Sequence, residues 1–227
     1  MICLFGGTFD PVHVGHVHAA EAVCEALGLT EIRLVLSARP SHRGVTLATL
    51  EDRWQMLCLA CEGHPRLVPD DREVRRTRPS STVETLEEIR AEHPRQSLAW
   101  VVGSDAFALL PSWYRWRDVL RLANLVVLKR PGHPLELNRE MTALTETRRV
   151  DSLADCHEGG ILILDDVMVD VAAANIRRTI AAGGTVAHLL PESVANYIRQ
   201  HGLYRGRKRV ESVKTNSRKG TDHSTDR

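Results

Sequence analysis

His13 and His16 follow closely on a Gly6-Gly7 pair in the run Gly6-Gly7-Thr8-Phe9-Asp10-Pro11-Val12-His13-Val14-Gly15-His16. The run lies where an apolar segment gives way to a helical pattern, a junction suited to holding phosphate. A helix start offers unpaired N–H groups and a partial positive charge. Glycines let the backbone approach phosphate oxygens unobstructed. Histidines at i and i+3 share a helix face, so both imidazoles can turn to one anion. Gly15 between them leaves room for a flat ring or a ribose. The plainer alternative is a connection in which the glycines shape a turn and the histidines only cap the helix; the joint presence of both pairs favours a polyphosphate site. The pattern is neither the GxGxxG dinucleotide fingerprint, which lacks histidines, nor the Gly-Lys-Ser/Thr phosphate loop.

Such a site needs a scaffold. Ile2–Phe5 reads as a buried strand stopped by a turn at Gly6-Gly7. Apolar positions then recur at helical spacing through VHAAEAVCEALGL, and Gly28 is placed to close that helix. Further strands are expected at Ile32–Leu36, Arg66–Pro69, Leu98–Val102, Leu125–Leu128 and Ile161–Leu164. Helices are expected over LEDRWQMLCLACEG, Thr82–Glu92, Asn175–Ala182 and Glu192–His201. Strands alternating with helices predict an α/β fold with a mostly parallel sheet of about six strands, covered on both faces. Ligands of such sheets sit beyond the carboxyl ends of the strands, where strand order reverses.

The chain has 227 residues, 43% apolar and 26% charged, with a net charge of +1. This is a globular composition, and no overall field would gather nucleic acid or a membrane. No run approaches the roughly 18 apolar residues of a spanning helix. Nothing in the opening residues reads as an export signal, and the five cysteines form no paired framework. Cys58 and Cys61 read as the apolar side of a helix. Reduced thiols in the cytoplasm are the expectation. One domain is expected over residues 1–205. Residues 205–227 hold eight Lys/Arg against three acids and almost nothing apolar. Residues 206–227 are therefore expected to be a disordered basic tail, a solvated terminus rather than a specific nucleic-acid arm.

GGTFDPVHVGH resembles the nucleotidyltransferases that share an HxGH site, most of all the bacterial nicotinate-nucleotide adenylyltransferases. ARPSHRG at 38–44 resembles that family's PPHK/PPHR loop, and RPSSTVETL at 78–86 its PSYTxxTL segment. VVGSDAFALLPSWYRW at 101–116 resembles its GxDxxxxxxxWY block, LKRPG at 128–132 its RRPG, and NYIRQHGLYR at 196–205 its YIxxxxLY ending. The resemblance implies a Rossmann-like doubly wound fold and transfer of AMP from ATP to nicotinate mononucleotide, with pyrophosphate released. It implies that His13 and His16 meet the ATP phosphates, that Gly6, Gly7, Thr8 and Phe9 line the nucleotide pocket, and that Ile176 and Arg177 complete it. On the acceptor side it implies Trp113 stacking on the pyridine ring, Asp105 and Thr82 bonding near the sugar and phosphate, and Arg43 approaching the phosphate. Trp54, Tyr114 and Trp116 keep a core or surface reading. Mg²⁺ is expected to arrive carried mainly by ATP, with no dedicated protein metal site. No membrane or specific nucleic-acid partner is implied, and assembly into a homo-oligomer stays open.

The chain departs from the family in places. Where it usually has Ile-Ser-Ser/Ala-Thr-x-Ile-Arg, this chain has Val171-Ala172-Ala173-Ala174-Asn175-Ile176-Arg177, so two phosphate-binding hydroxyls are replaced by Ala172 and Ala174. Asn175 as a shifted cap, or Arg178 or Thr179, would be the compensations. Ser81 stands for the usual Tyr, and Ser104 is a milder change. The departures leave three readings in view: the active enzyme, a nucleotide-binding protein with weakened or lost catalysis, and an adenylyltransferase preferring nicotinamide mononucleotide.

Overall fold

In a computed structural model, residues 1–40, 46–129, 132, 134–165, 167 and 169–205 are described. The expected position Arg43, part of the RPG segment and the whole of 206–227 lie outside them.

Six strands form one parallel sheet in the order β3-β2-β1-β4-β5-β6. They are β1 Ile2–Gly7, β2 Ile32–Leu36, β3 Leu67–Asp70, β4 Leu98–Gly103, β5 Asn124–Leu128 and β6 Ile161–Leu164. The connecting helices are α1 Val14–Leu27, α2 Leu50–Cys61, α3 Arg72–Arg75, α4 Thr82–Glu92, α5 Ser104–Ala108, α6 Trp116–Leu122, α7 Arg139–Arg148, α8 Ala173–Ala181 and α9 Glu192–His201. The chain runs outward from β1 to β3, then returns to the other side of β1 through β4. Strand order therefore reverses between β1 and β4, and a crevice opens beyond their carboxyl ends.

Alternation along the strands sends side chains to two faces. Cys3, Phe5, Ala99, Val101, Val126 and Leu128 go into one core layer, covered by α1, α2, α8 and α9. Leu4, Leu98, Trp100, Val102, Leu125 and Val127 go into the other, under α4, α5, α6 and α7. The central strands β1, β4 and β5 are apolar on both sides and read as continuous hydrophobic runs, whereas the edge strand β3 buries only Leu67.

The expected elements are present, with differences at their ends and between them. β1 does not stop before Gly6-Gly7: both glycines pair in register with Val35 and Leu36. α7 was not foreseen. Its apolar stripe is thin, with only Met141 and Thr145 buried, but Asn138 marks its start by accepting from the Met141 N–H at 2.9 Å. Gly28, in the left-handed region at φ 61°, closes α1 as expected.

Gly6 in β1 lies against the indole of Trp100, so that a Cβ there would stand 2.2 Å from a ring carbon, well inside contact distance. Trp100 is itself buried in the second core layer. Gly6→Ala is therefore expected to cost about 1–3 kcal/mol by overpacking, measured by chemical denaturation. Adding Trp100→Phe should return most of that loss. A Gly6→Ala protein of wild-type stability would mean that the strand has room the packing denies.

Candidate active site

The loop between β1 and α1 turns its side chains inward. Phe9 takes a left-handed backbone at φ 48° and buries its ring. That ring meets His16 edge-on, centroids 5.0 Å apart at 83°, and Phe5 at 6.2 Å. Gly7 is required by this arrangement, because a Cβ there would stand 2.6 Å from the Phe9 ring. The glycine pair thus has a second reason beyond the one its sequence suggests: Gly6 admits Trp100 and Gly7 admits Phe9.

His13 is the N-cap residue of α1, with extended backbone. Its ring stacks on His16 with centroids 3.7 Å apart and 27° between planes. The His13 N–H donates to His16 Nδ1 at 3.2 Å. An accepting Nδ1 carries no proton, which assigns the ring N–H of neutral His16 to Nε2. Gly15 makes the stack possible, since a Cβ there would sit 3.1 Å from His13 Nδ1. His13 itself is buried, and Nδ1 finds no well-formed partner among the described residues.

Two charged side chains that sequence reasoning assigned no role hold the loop in place. Asp10 is 5% exposed. Its carboxylate accepts from the Leu47 N–H at 2.9 Å, the Ala48 N–H at 3.1 Å and the Tyr204 hydroxyl at 2.8 Å. Arg53 is 1% exposed and donates to the carbonyls of Thr8, Ser37 and Ala38 at 2.9, 2.7 and 2.7 Å, tying the β1 and β2 loops together. A signal for Arg53 was available: it falls in helical phase with the buried Met56, Leu57 and Ala60 of α2. For Asp10 and Tyr204, far apart in the chain, sequence offered no comparable signal.

Arg177 comes to the same loop from α8, donating to the Asp10 carbonyl at 2.7 Å. Ile176 points the other way, its side chain buried in the first core layer. Ala172 is the N-cap of α8 and offers no side-chain cap. Asn175 does not supply one either: its side-chain oxygen accepts from Arg178 at 2.6 Å, which engages two of the three proposed substitutes with each other and leaves Thr179 as the third.

The remaining positions lie on loops at the same carboxyl edge of the sheet. Thr82 begins α4, whose approach is tied to the β2 loop by the Ser80 N–H donating to the Arg39 carbonyl at 3.0 Å. Asp105 is exposed in the first turn of α5, directly after β4. Trp113 is half-buried and packs on the second core layer, while Trp116 is buried in that layer and Tyr114 is exposed. Trp54 packs against the first layer. A separate charged cleft, including Asp70, Arg72, Arg76 and Glu88, flanks the β3 edge; its ions pair with one another, as Arg72 does with Asp70 at 3.0 Å. Among the described residues no group of three or more His, Cys, Asp or Glu is placed to hold a metal ion, and no helix is long and apolar enough to cross a membrane.

The chain matches the cytidylyltransferase-like family over residues 4–180. It is 41% identical over 207 residues to a protein of Aeromonas hydrophila described as a probable nicotinate-nucleotide adenylyltransferase, covering 90% of this chain and 97% of that one. A protein of Pseudomonas syringae pv. tomato with the same description is 44% identical over 207 residues, covering 90% and 93%. Among solved structures, the Plasmodium falciparum nicotinic acid mononucleotide adenylyltransferase in complex with NaAD superposes with a TM-score of 0.71 at 15% identity, over 89% of this chain and 96% of that one. At that identity the likeness is one of fold.

Burial pushes the His13 imidazole down to about 4 from the usual 6.5, so it is neutral at pH 7. The unfolded chain takes that proton near pH 6.5, so between these two values the unfolded state binds more protons than the native one. The stabilisation is complete above the upper value and is lost as pH falls toward the lower, by at most about 3 kcal/mol in all. Urea unfolding across this range should show a steeper acid loss in the wild type than in His13→Asn. Equal slopes would show that the buried imidazole does not set it.

Proposed function

We infer the reaction from a premise that the relatives supply: the chain belongs to the cytidylyltransferase-like family and, within it, to the nicotinate-nucleotide adenylyltransferases. It is an enzyme of NAD biosynthesis that transfers AMP from ATP to nicotinate mononucleotide, forming nicotinate adenine dinucleotide and pyrophosphate. The observation that carries this reading is the stacked His13–His16 pair at the start of α1, beside the point where strand order reverses.

A phosphate oxygen of the mononucleotide attacks the α-phosphorus of ATP in line. The new P–O bond closes the dinucleotide, and the bond from that phosphorus to the β-phosphate bridging oxygen breaks, its electron pair leaving with pyrophosphate. The nucleophile is already anionic near neutral pH, so no strong base is needed. What remains is positioning and relief of charge on the reacting phosphorus and leaving group. His16 suits that task, because Nδ1 accepts from the backbone and the ring N–H of the neutral imidazole is therefore on Nε2. The α1 N-terminus adds further N–H groups and its dipole. His13 stays neutral against His16 and fixes its plane. Arg177 meets the β- and γ-phosphates, and the backbone of Gly6, Gly7, Thr8 and Phe9, with that of Ile176, lines the nucleotide. Mg²⁺ enters as part of the ATP substrate, which suits an ion that keeps its waters readily.

On the acceptor side, Trp113 stacks on the pyridine ring, Asp105 and Thr82 bond near the sugar and phosphate, and Arg43 approaches the phosphate. The setting is the cytoplasm, in keeping with the reduced cysteines.

Pyrophosphate release by the purified protein with ATP, Mg²⁺ and nicotinate mononucleotide tests the reading. His16→Ala should lower kcat by about 100-fold or more. Release with nicotinamide mononucleotide but not with the acid would reassign the acceptor, and release with neither would leave only nucleotide binding.

The uncapped start of α8 yields a second test. Ala172→Ser with Ala174→Thr restores two hydroxyls at a helix start, where each is worth about 1 kcal/mol to the helix and about 1.5–3 kcal/mol toward a charged phosphate. With two contacts restored we expect ATP binding roughly 100-fold tighter or more, with kcat within a few-fold of wild type. A rise in turnover from near zero would instead mark the natural protein as a degenerate enzyme.

A further inference from the structure

The carboxylate of Asp10 is where four separate stretches of chain converge. It belongs to the β1–α1 loop that carries His13 and His16, and it accepts from Leu47 and Ala48 of the loop before α2. Its own backbone carbonyl receives Arg177 of α8 at 2.7 Å. The fourth partner is the Tyr204 hydroxyl at 2.8 Å, from 194 residues further along the chain. Tyr204 reaches it by a specific path. Gly202 closes α9 at φ 63°, and Tyr204 itself is left-handed at φ 61°, turning the segment after α9 back toward the β1–α1 loop.

We infer that Tyr204, acting through Asp10, is a positioning residue for nucleotide binding: it fixes the histidine loop and Arg177 relative to one another. This rests on the reading of His13, His16 and Arg177 as the phosphate site. The physical reason is geometric. Arg177 is anchored on the Asp10 carbonyl, so its guanidinium can be no better placed than that peptide unit. The peptide's orientation is set by its own side chain, which is held on one oxygen by Leu47 and on the other by Ala48 and Tyr204. Removing the hydroxyl leaves a buried carboxylate one strong donor short, and a carboxylate in that state turns toward water or another donor. Any such turn moves the carbonyl, and with it Arg177, away from the histidines.

A purely structural staple would behave differently, and the molecule contains one for comparison. The Tyr197 hydroxyl donates to Asp52 at 2.9 Å, joining α9 to the first turn of α2 without touching the histidine loop. It is the same chemistry on the same helix-and-tail segment, outside the proposed site.

The experiment compares Tyr204→Phe with Tyr197→Phe in the full chain, reading three quantities: Tm, Kd for a non-hydrolysable ATP analogue, and KM and kcat for AMP transfer. Both variants keep their rings and should fold, Tyr204→Phe with the larger loss in Tm because its partner carboxylate is buried. Tyr204→Phe is expected to raise the analogue Kd and the KM for ATP about tenfold, in keeping with one lost bond to a charged group, with a smaller change in kcat. Tyr197→Phe should leave both within about twofold. Asp10→Asn combined with Tyr204→Phe should weaken binding no more than the worse single variant, as expected for groups acting as one unit. Equal binding by the two tyrosine variants would overturn the inference and leave Tyr204 a staple. The analogue Kd needs no acceptor, so a wild type that binds but does not transfer AMP would defeat the proposed reaction while the binding ratio still decides the role of Tyr204.

Discussion

A buried carboxylate and a buried guanidinium, Asp10 and Arg53, set the terms on which the carboxyl edge of this sheet can close. Each is nearly inaccessible to water, and an ion in that position is costly unless its hydrogen-bonding capacity is met. Asp10 is met by two backbone N–H groups and a phenol, and the two terminal nitrogens of Arg53 by three backbone carbonyls, while its Nε finds no well-formed partner among the described residues. The full set is assembled only when the β1 loop, the β2 loop and the segment after α9 are all in place. The interaction therefore makes three loops one cooperative unit. A loop connecting elements would ordinarily be the mobile part of an α/β protein; here the charges convert it into a fixed floor.

That floor is what phosphate chemistry of this kind asks for. When the nucleophile is already charged, little proton transfer is needed, and rate comes from donors held where charge develops. Donors are effective in proportion to how little they must move. The His13–His16 stack, the Phe9 edge contact and the backbone N–H accepted by His16 Nδ1 all restrict the orientation of one imidazole N–H. Burial of His13 contributes from another direction: it keeps that ring neutral, so the pair can stack without two adjacent positive charges repelling one another.

Sequence and structure agree most where the evidence is local. Buried parallel strands announce themselves as Val/Leu/Ile runs, and all six were legible, as was the helix start carrying His13 and His16. Agreement weakens where a residue answers to a distant partner. Gly6 and Gly7 were legible as important, but the structure adds reasons, Trp100 and Phe9, that lie on another strand and two residues on. Asp10 was visible as part of a motif and its partners were not, because Leu47, Ala48 and Tyr204 become its neighbours only through tertiary folding. Arg53 was overlooked because a lone Arg in a helix reads as solvated; its phase with Met56, Leu57 and Ala60 was the contrary sign. α7 escaped because its buried stripe is too thin to give a period.

The alanines at the start of α8 look different once this unit is recognised. A helix start without a side-chain cap is weakened, and a phosphate there loses two donors. Yet the position of α8 does not depend on its cap. Ile176 is sealed in the first core layer, and Arg177 is bound to the Asp10 carbonyl from the next position along. The helix is thereby held from one side by the core and from the other by the histidine loop. The backbone N–H groups of its first turn still point outward with the dipole behind them. On the proposed reading the loss of the hydroxyls falls on ligand contacts rather than on the scaffold, and more of the holding of the β- and γ-phosphates would pass to Arg177. A site that leans harder on one guanidinium leans equally on whatever orients it, which here is the peptide of Asp10.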